Sequence, residues 1–302
     1  MSNSKKEKKG RAKIGLIDVD GRNFPNIALM KIAKFHKNIG NEVEWVTIGH
    51  YDKIYMSKIF TFSQDVNQGL YSYNEIFKGG TGYNNSTTLD PTIDSQIPDY
   101  SIYPKFKEAY GFLTRGCPNK CNWCIVPEKE GNIKPYADIN DFIDGRKIAV
   151  LMDNNVLAHK HGIRQIEKII DLKIKIDFNQ GLDARIIAKD EGIAKLLGSV
   201  KWHKPLRMAC DNKQQMIYVK KATELLRKNE VTPKRYFIYV LVKDIADALI
   251  RVNYLDDLGL DPFAQPYRNF ENNYVDPEQK KFARWVNRKQ IFRTVKYADY
   301  KS

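Results

Sequence analysis

Cys117, Cys121 and Cys124 stand in the order C-x3-C-x2-C within Gly116-Cys117-Pro118-Asn119-Lys120-Cys121-Asn122-Trp123-Cys124-Ile125-Val126-Pro127. A loop this short can curl so that three thiolates converge on one small object, which is how iron–sulfur clusters are held. A four-iron cubane takes four thiolates when fully ligated, so three would leave one iron open to a small ligand. Zinc is the rival occupant, but its usual second C-x2-C or H-x3-5-H pair is missing. Packing alone explains poorly three cysteines so close to proline, lysine and amide residues.

A loop of this kind needs a rigid frame, and the sequence around it is periodic. Apolar runs at residues 109–113, 147–152, 174–178, 205–209, 236–242 and 262–266 read as six strands. Helical spacing falls between them, as in Ile163, Ile166 and Ile170, then Ala222, Leu225 and Leu226, then Ala248, Leu249, Val252 and Leu255 before Gly259. Alternation of this kind builds a parallel sheet with helices on its outer face. In closed parallel sheets chemistry gathers at the C-terminal strand ends. Polar residues collect there: Asp153-Asn154-Asn155, then Asn179-Gln180-Gly181-Leu182-Asp183-Ala184-Arg185, Cys210-Asp211, and Tyr267-Arg268.

The cysteine spacing, with aromatic Trp123 before the last cysteine, resembles the signature of radical S-adenosylmethionine (radical SAM) enzymes. The strand–helix repeat over about residues 105–270 resembles their core, a partial (β/α)6 barrel. That resemblance implies a [4Fe-4S] cluster on Cys117, Cys121 and Cys124, S-adenosyl-L-methionine as cofactor, and an electron donor such as flavodoxin or ferredoxin. It further implies reductive cleavage of the sulfonium to a 5′-deoxyadenosyl radical that abstracts hydrogen from a substrate, with the protein binding, orienting and excluding water. By strand position, Asp153 would accept from the SAM ammonium with Asn154 or Asn155 helping. Arg185 would pair with the carboxylate, its fork matching a carboxylate bidentately. Gln180 and Asp183 would contact ribose or substrate, and Trp123 would pack beside cluster or adenine. Cys210 is a candidate hydrogen donor or a plain buried residue, and Asp211 beside it is the better polar candidate. Methylthiotransferases share the Cys124-Ile125-Val126-Pro127 context, but the extra N-terminal cysteines and the C-terminal RNA-binding domain of that group are missing.

Ahead of the barrel, residues 11–98 read as a small Rossmann-like α/β domain. Lys13–Val19 is a buried strand, Asn23 with Pro25 starts a helix that Gly40 closes, and strands follow at Glu42–Val46, Lys53–Ser57 and near Glu75–Phe77. The layout resembles the cobalamin-binding-like domain that precedes many radical SAM barrels. Cobalamin itself is not expected, since the D-x-H-x-x-G signature is missing. Asp18-Val19-Asp20-Gly21 also matches the strand end of haloacid-dehalogenase-like phosphatases, though their later lysine and acidic pair cannot be placed. Residues 83–103, rich in Asn, Asp, Thr, Ser and Pro, read as a linker, so the barrel would occupy 99–275.

The net charge of +14 is carried mostly by the two ends. Residues 1–13 hold six basic and one acidic side chain, and residues 280–302 hold eight and one. Residues 1–10 read as a disordered basic tail and 276–302 as a basic helical extension. Such ends fit a nucleic-acid partner, because neutralising phosphates releases counterions. Phe282, Trp285, Val286 and Phe292 among the basic residues read as a helix face that closes the barrel, and a groove that stacks bases on interleaved aromatics would look similar. No apolar run reaches the ~20 residues of a membrane span, no secretory segment opens the chain, and four cysteines suit a reducing compartment. The expectation is a cytoplasmic enzyme acting on a nucleotide or nucleic acid. The alternative is a non-catalytic iron–sulfur or zinc module that holds nucleic acid.

Overall fold

The computed structural model describes residues 11–66, 70–231, 236–269 and 271–301, so the expected tail at 1–10 lies outside the described residues. The chain divides into two compact units, 1–107 and 108–302. Among the described residues, no helix is long and apolar enough to cross a membrane.

In the first unit β1 (Lys13–Asp18), β2 (Glu42–Trp45), β3 (Gly49–Ser57) and β4 (Tyr71–Gly79) form one parallel sheet in the order β2-β1-β3-β4. β1 is buried on both faces, as a central parallel strand must be. Leu16 packs with Leu29, Ile32 and Ala33 of the helix Ile27–Asn38, while Ile17 packs with Tyr51, Ile54 and Met56. The helix is capped by Asn26, not Asn23: Pro25 holds the chain extended on entry, and Asn26 Oδ1 accepts from Leu29 N at 3.3 Å. Gly40 ends it with φ +85°, as its sequence position suggests. β3 begins four residues earlier than expected, and Tyr51 in the added stretch is fully buried.

The stretch 83–103 is not a free linker. Tyr100 and Tyr103 are buried, Trp45 Nε1 donates to Ile102 O at 3.2 Å, and Tyr103 Oη donates to Asp18 Oδ2 at 2.7 Å. These contacts carry the first unit on to Lys107, beyond the expected boundary at residue 98. They also engage the first carboxylate of the Asp18-Val19-Asp20-Gly21 turn, while Asp20 accepts from Ser63 Oγ at 2.6 Å. Burial pushes the Asp18 carboxyl up to about 6, against the pull of the Tyr103 hydroxyl. An acid raised in the folded state stabilises the fold fully below its unfolded pKa and loses that contribution as pH rises through the folded value. Asp18→Asn should therefore flatten the part of the stability–pH curve between about pH 4 and 6. Urea titrations across that range check it, and an unchanged curve would count against the assignment.

The second unit carries β5 (Ala109–Gly111), β6 (Thr114–Arg115), β7 (Lys134–Pro135), β8 (Ile148–Leu151), β9 (Lys175–Phe178), β10 (Lys201–Trp202), β11 (Leu206–Ala209), β12 (Tyr236–Val242) and β13 (Asp261–Pro266). One parallel sheet runs β5-β8-β9-β10 and another β11-β12-β13, while β6 and β7 form a small antiparallel pair. All six expected strands are present at nearly the expected positions. Between the two sheets β9 and β11 exchange no ladder, and side chains take over. Arg207 pairs with Asp177, which is 4% exposed, and Leu182 N donates to Arg207 O at 2.8 Å. The helices Lys160–Asp171, Gln214–Lys228 and Ile245–Asp257 follow β8, β11 and β12 and bury their apolar stripes.

The C-terminal extension is helical and its apolar residues pack as a buried face, both as expected. Asp276 caps the helix Pro277–Asn287 by accepting from Glu278 N at 2.7 Å. Phe282, Trp285 and Phe292 are buried, Trp285 Nε1 donates to Val295 O at 2.9 Å, and Asn287 bonds both backbone groups of Ala264 in β13. A base-stacking groove on these rings is therefore ruled out by packing.

Candidate functional site

The cysteine loop leaves β6 and returns through β7, so the Thr114↔Pro135 and Arg115↔Lys134 pairing pins its base. Gly116 turns the chain at φ +81°, and a Cβ there would lie 2.4 Å from Asn132 O. Cys117 N donates to Gly131 O at 3.1 Å, and Cys124 N to Cys121 O at 3.1 Å. Glu130 gathers the rest: its carboxylate accepts from Gly116 N at 2.9 Å, Arg115 Nη2 at 2.8 Å and Asn154 Nδ2 at 2.9 Å. Gly131 also has positive φ, +70°, but open space where a Cβ would go. Gly116→Ala should thus destabilise by about 1–3 kcal/mol more than Gly131→Ala, and paired thermal melts would show whether the clash is real.

Beneath the loop lies Asp153, at the end of β8 and 4% exposed. Its carboxylate accepts from Leu113 N at 3.1 Å, Thr114 N at 2.5 Å and Thr114 Oγ1 at 2.6 Å. Burial pushes it up to about 6 against those donors. Asp153 does not border the cleft described next. It anchors the segment that launches the cysteines.

A small cleft of about 130 Å³ opens here, and its walls include Cys117, Cys121, Asn155, Gln180, Arg185 and Asp211. Asn155 is 3% exposed; its Nδ2 donates to Asp183 Oδ2 at 3.1 Å and reaches Cys117 Sγ at 3.7 Å, while its Oδ1 has no partner. A buried acceptor left unmet is costly, so this atom marks a place for a donor from outside the chain. Asp183 caps the next helix through Arg185 N at 3.0 Å and takes the Arg185 guanidinium bidentately, both bonds 2.8 Å. Burial works to raise the Asp183 carboxyl, but Arg185 and Asn119 together hold it below the usual carboxylate range. Arg185 is therefore not a free fork: two of its nitrogens are committed to Asp183 rather than to a ligand carboxylate.

The thiols stand in one another's field. Burial raises Cys121, and the Cys124 and Cys117 sulfurs add to it while the Arg185 guanidinium opposes. Burial likewise raises Cys124, with Cys117 and Asp211 adding. The three are not drawn onto one point: among the described residues, no three His, Cys, Asp or Glu side chains sit as the ligands of a single ion would.

On the far wall Asp211 accepts from Leu241 N at 3.0 Å, and burial raises its pKa. Gln215 and Tyr218 reach the cleft beside it and were not foreseen. Cys210 is fully buried with its thiol pushed up to about 12, and it does not line the cleft; it is a core residue. Its carbonyl accepts from buried Arg251, whose guanidinium also bonds Leu241 O and Asp247 and so joins the ends of β11 and β12. Trp123 does not border the cleft either. Its ring lies 5.4 Å from Lys243 Nζ, which is 4.3 Å from the Tyr267 ring, tying the cysteine loop to the ends of β12 and β13.

Of the residues singled out by sequence, Cys117, Cys121, Asn154, Asn155, Gln180, Asp183, Arg185 and Asp211 meet at one cleft. Cys124, Asp153, Trp123 and Cys210 do not. Glu130 carries no motif that would have flagged it. No protein-family model matches the chain, and no curated protein matches it in sequence.

Proposed function

We propose that the second unit is a radical SAM enzyme built on a partial (β/α)6 barrel, with β5, β8, β9, β11, β12 and β13 as its strands. The observation that carries this reading is the shared wall: Cys117 and Cys121 border the same cleft as residues following β8, β9 and β11. Cys121 and Cys124 thiols raised by burial, two cysteines on one cleft wall and an unmet acceptor beside them suit a cationic, thiolate-ligated group with a cationic ligand. Cys117, Cys121 and Cys124 would hold a [4Fe-4S] cluster. When bound, that cluster would supply the electron that splits S-adenosylmethionine into methionine and a 5′-deoxyadenosyl radical.

The chain's own residues do the rest. Asn155 Oδ1 accepts from the SAM ammonium, with its Nδ2 held by Asp183. The Asp183–Arg185 pair fixes the wall and sets a positive field beside Cys117 and Cys121. Gln180, Gln215 and Tyr218 would offer hydrogen bonds to ribose or substrate, and Asp211, its pKa raised by burial, stands at the opposite wall. The basic ends favour a nucleotide or nucleic acid as substrate.

Anaerobic reconstitution with iron and sulfide, followed by reduction in the presence of S-adenosylmethionine, tests the reading through 5′-deoxyadenosine and methionine. Iron bound without any cleavage would favour the non-catalytic module instead. Cys210→Ala should leave cleavage unchanged and cost about 1 kcal/mol of stability. Loss of cleavage in a folded variant would return Cys210 to the chemistry.

A further inference from the structure

The basic residues of the C-terminal extension fall into two sets. Lys289 pairs with Asp261 at 3.3 Å and Arg293 with Asp256 at 3.2 Å, so both serve the fold. Lys280, Arg284 and Arg288 are exposed, and among the described residues none of them pairs with a carboxylate. They stand four residues apart along the helix Pro277–Asn287 and its C-terminal end, so successive cations are about 6 Å apart along one face. That step is comparable with the spacing of phosphates on an extended strand.

The start of this helix is fastened to the cleft side of the unit. Gln279 Oε1 accepts from Tyr267 N at 3.1 Å, and Gln279 Nε2 donates to Lys243 O at 3.0 Å. Tyr267 and Lys243 follow β13 and β12, at the C-terminal edge of the sheet whose first strand, β11, leads into the cleft wall, and Lys243 lies over Trp123 of the cysteine loop. The cationic row thus begins beside that edge.

We propose that this row is the docking track for a single-stranded nucleic acid, held by its phosphates and led past Lys243 to the cleft. The inference deepens the function proposed above and rests on it only for what happens to the strand once held. A single strand fits better than a duplex, because a base paired in a duplex would first have to be extruded to reach a cleft of about 130 Å³. A membrane surface fits worse, because an interfacial helix needs an apolar face to insert, and Phe282, Ala283, Trp285 and Val286 are already buried. With the aromatics unavailable for stacking, binding is expected to be tolerant of sequence and steeply dependent on salt.

The test uses the full chain and fluorescence anisotropy with a labelled oligouridine across a salt series. Wild type should bind. Lys280→Gln/Arg284→Gln/Arg288→Gln, which removes three phosphate contacts, should bind about 100-fold more weakly at about 0.1 M salt, with a salt slope shallower by about 2. A charge-matched control, Lys189→Gln/Lys195→Gln/Lys221→Gln, should retain wild-type affinity. Equal affinity in the first variant and wild type would overturn the proposal, as would binding to anionic phosphatidylserine vesicles with none to oligouridine. Cleavage of S-adenosylmethionine by the same samples decides the enzymatic reading separately, since docking needs neither cluster nor cofactor.

Discussion

Alanine at Cys117, Cys121 or Cys124 should abolish iron–sulfide incorporation and lower 5′-deoxyadenosine formation by more than about 100-fold, the upper effect of losing a mere supporting residue around a metal. The fold should survive. The loop is held by Gly116, Glu130, Asp153 and the β6–β7 pairing, none of which uses a thiol, and Cys124 is exposed. Melting and circular dichroism should therefore stay within about 1 kcal/mol of wild type. This contrast separates a reactive cluster from a structural metal, whose loss unfolds the domain that depends on it. A single-cysteine variant that cleaved S-adenosylmethionine as well as wild type would end the proposal. One that unfolded would point to a structural ion.

The second large effect is expected beneath the loop. Asp153→Ala leaves two backbone N–H groups and the Thr114 hydroxyl without their acceptor in a buried place. Unmet donors of this kind cost about 1–3 kcal/mol each, and some relief comes from no longer burying a charge, so a net loss of about 3 kcal/mol at pH 7 is expected. The sign of its pH dependence is distinctive. With its carboxyl raised to about 6, Asp153 stabilises the fold most below about pH 4 and loses that contribution as pH passes 6. The variant should therefore be further destabilised relative to wild type at pH 5 than at pH 7, by about 1 kcal/mol. Urea unfolding at the two pH values measures it, and a larger difference at pH 7 would contradict the buried-acid account. Cluster loading should fall as well, because Leu113 and Thr114 set where Cys117 begins.

The strands were legible because each is a short apolar run, with β1, β8 and β9 buried nearly throughout and β11 and β12 alternating buried and half-buried positions, patterns that need no knowledge of partners. The cysteines were legible because thiolate chemistry shows in spacing alone. What stayed hidden is which polar atom at a strand end turns to the cleft. Asp153 and Asn155 lie two residues apart, yet one closes on backbone and the other on Cys117 and Asp183, a choice made by a loop that starts 40 residues earlier. Arg185 looked like a free fork because its partner, two residues away, also reads as an ordinary helix cap. Tyr103 and Asp18 meet across 85 residues, and no local pattern announces it. β6 and β7 are two residues each, too short for any periodicity to register.

The cleft sits where the ladder is interrupted. Elsewhere in the two sheets neighbouring strands are joined by ladders of fixed spacing, but between β9 and β11 Arg207 with Asp177 and a backbone bond from Leu182 to Arg207 span the gap. Gln180–Arg185 lie on one side of it and Ala209 and Asp211 on the other, all of them cleft walls. The distance between those walls is therefore set by one buried ion pair, one backbone bond and the packing of the helices Ala184–Lys189 and Gln214–Lys228, rather than by a rung of the sheet.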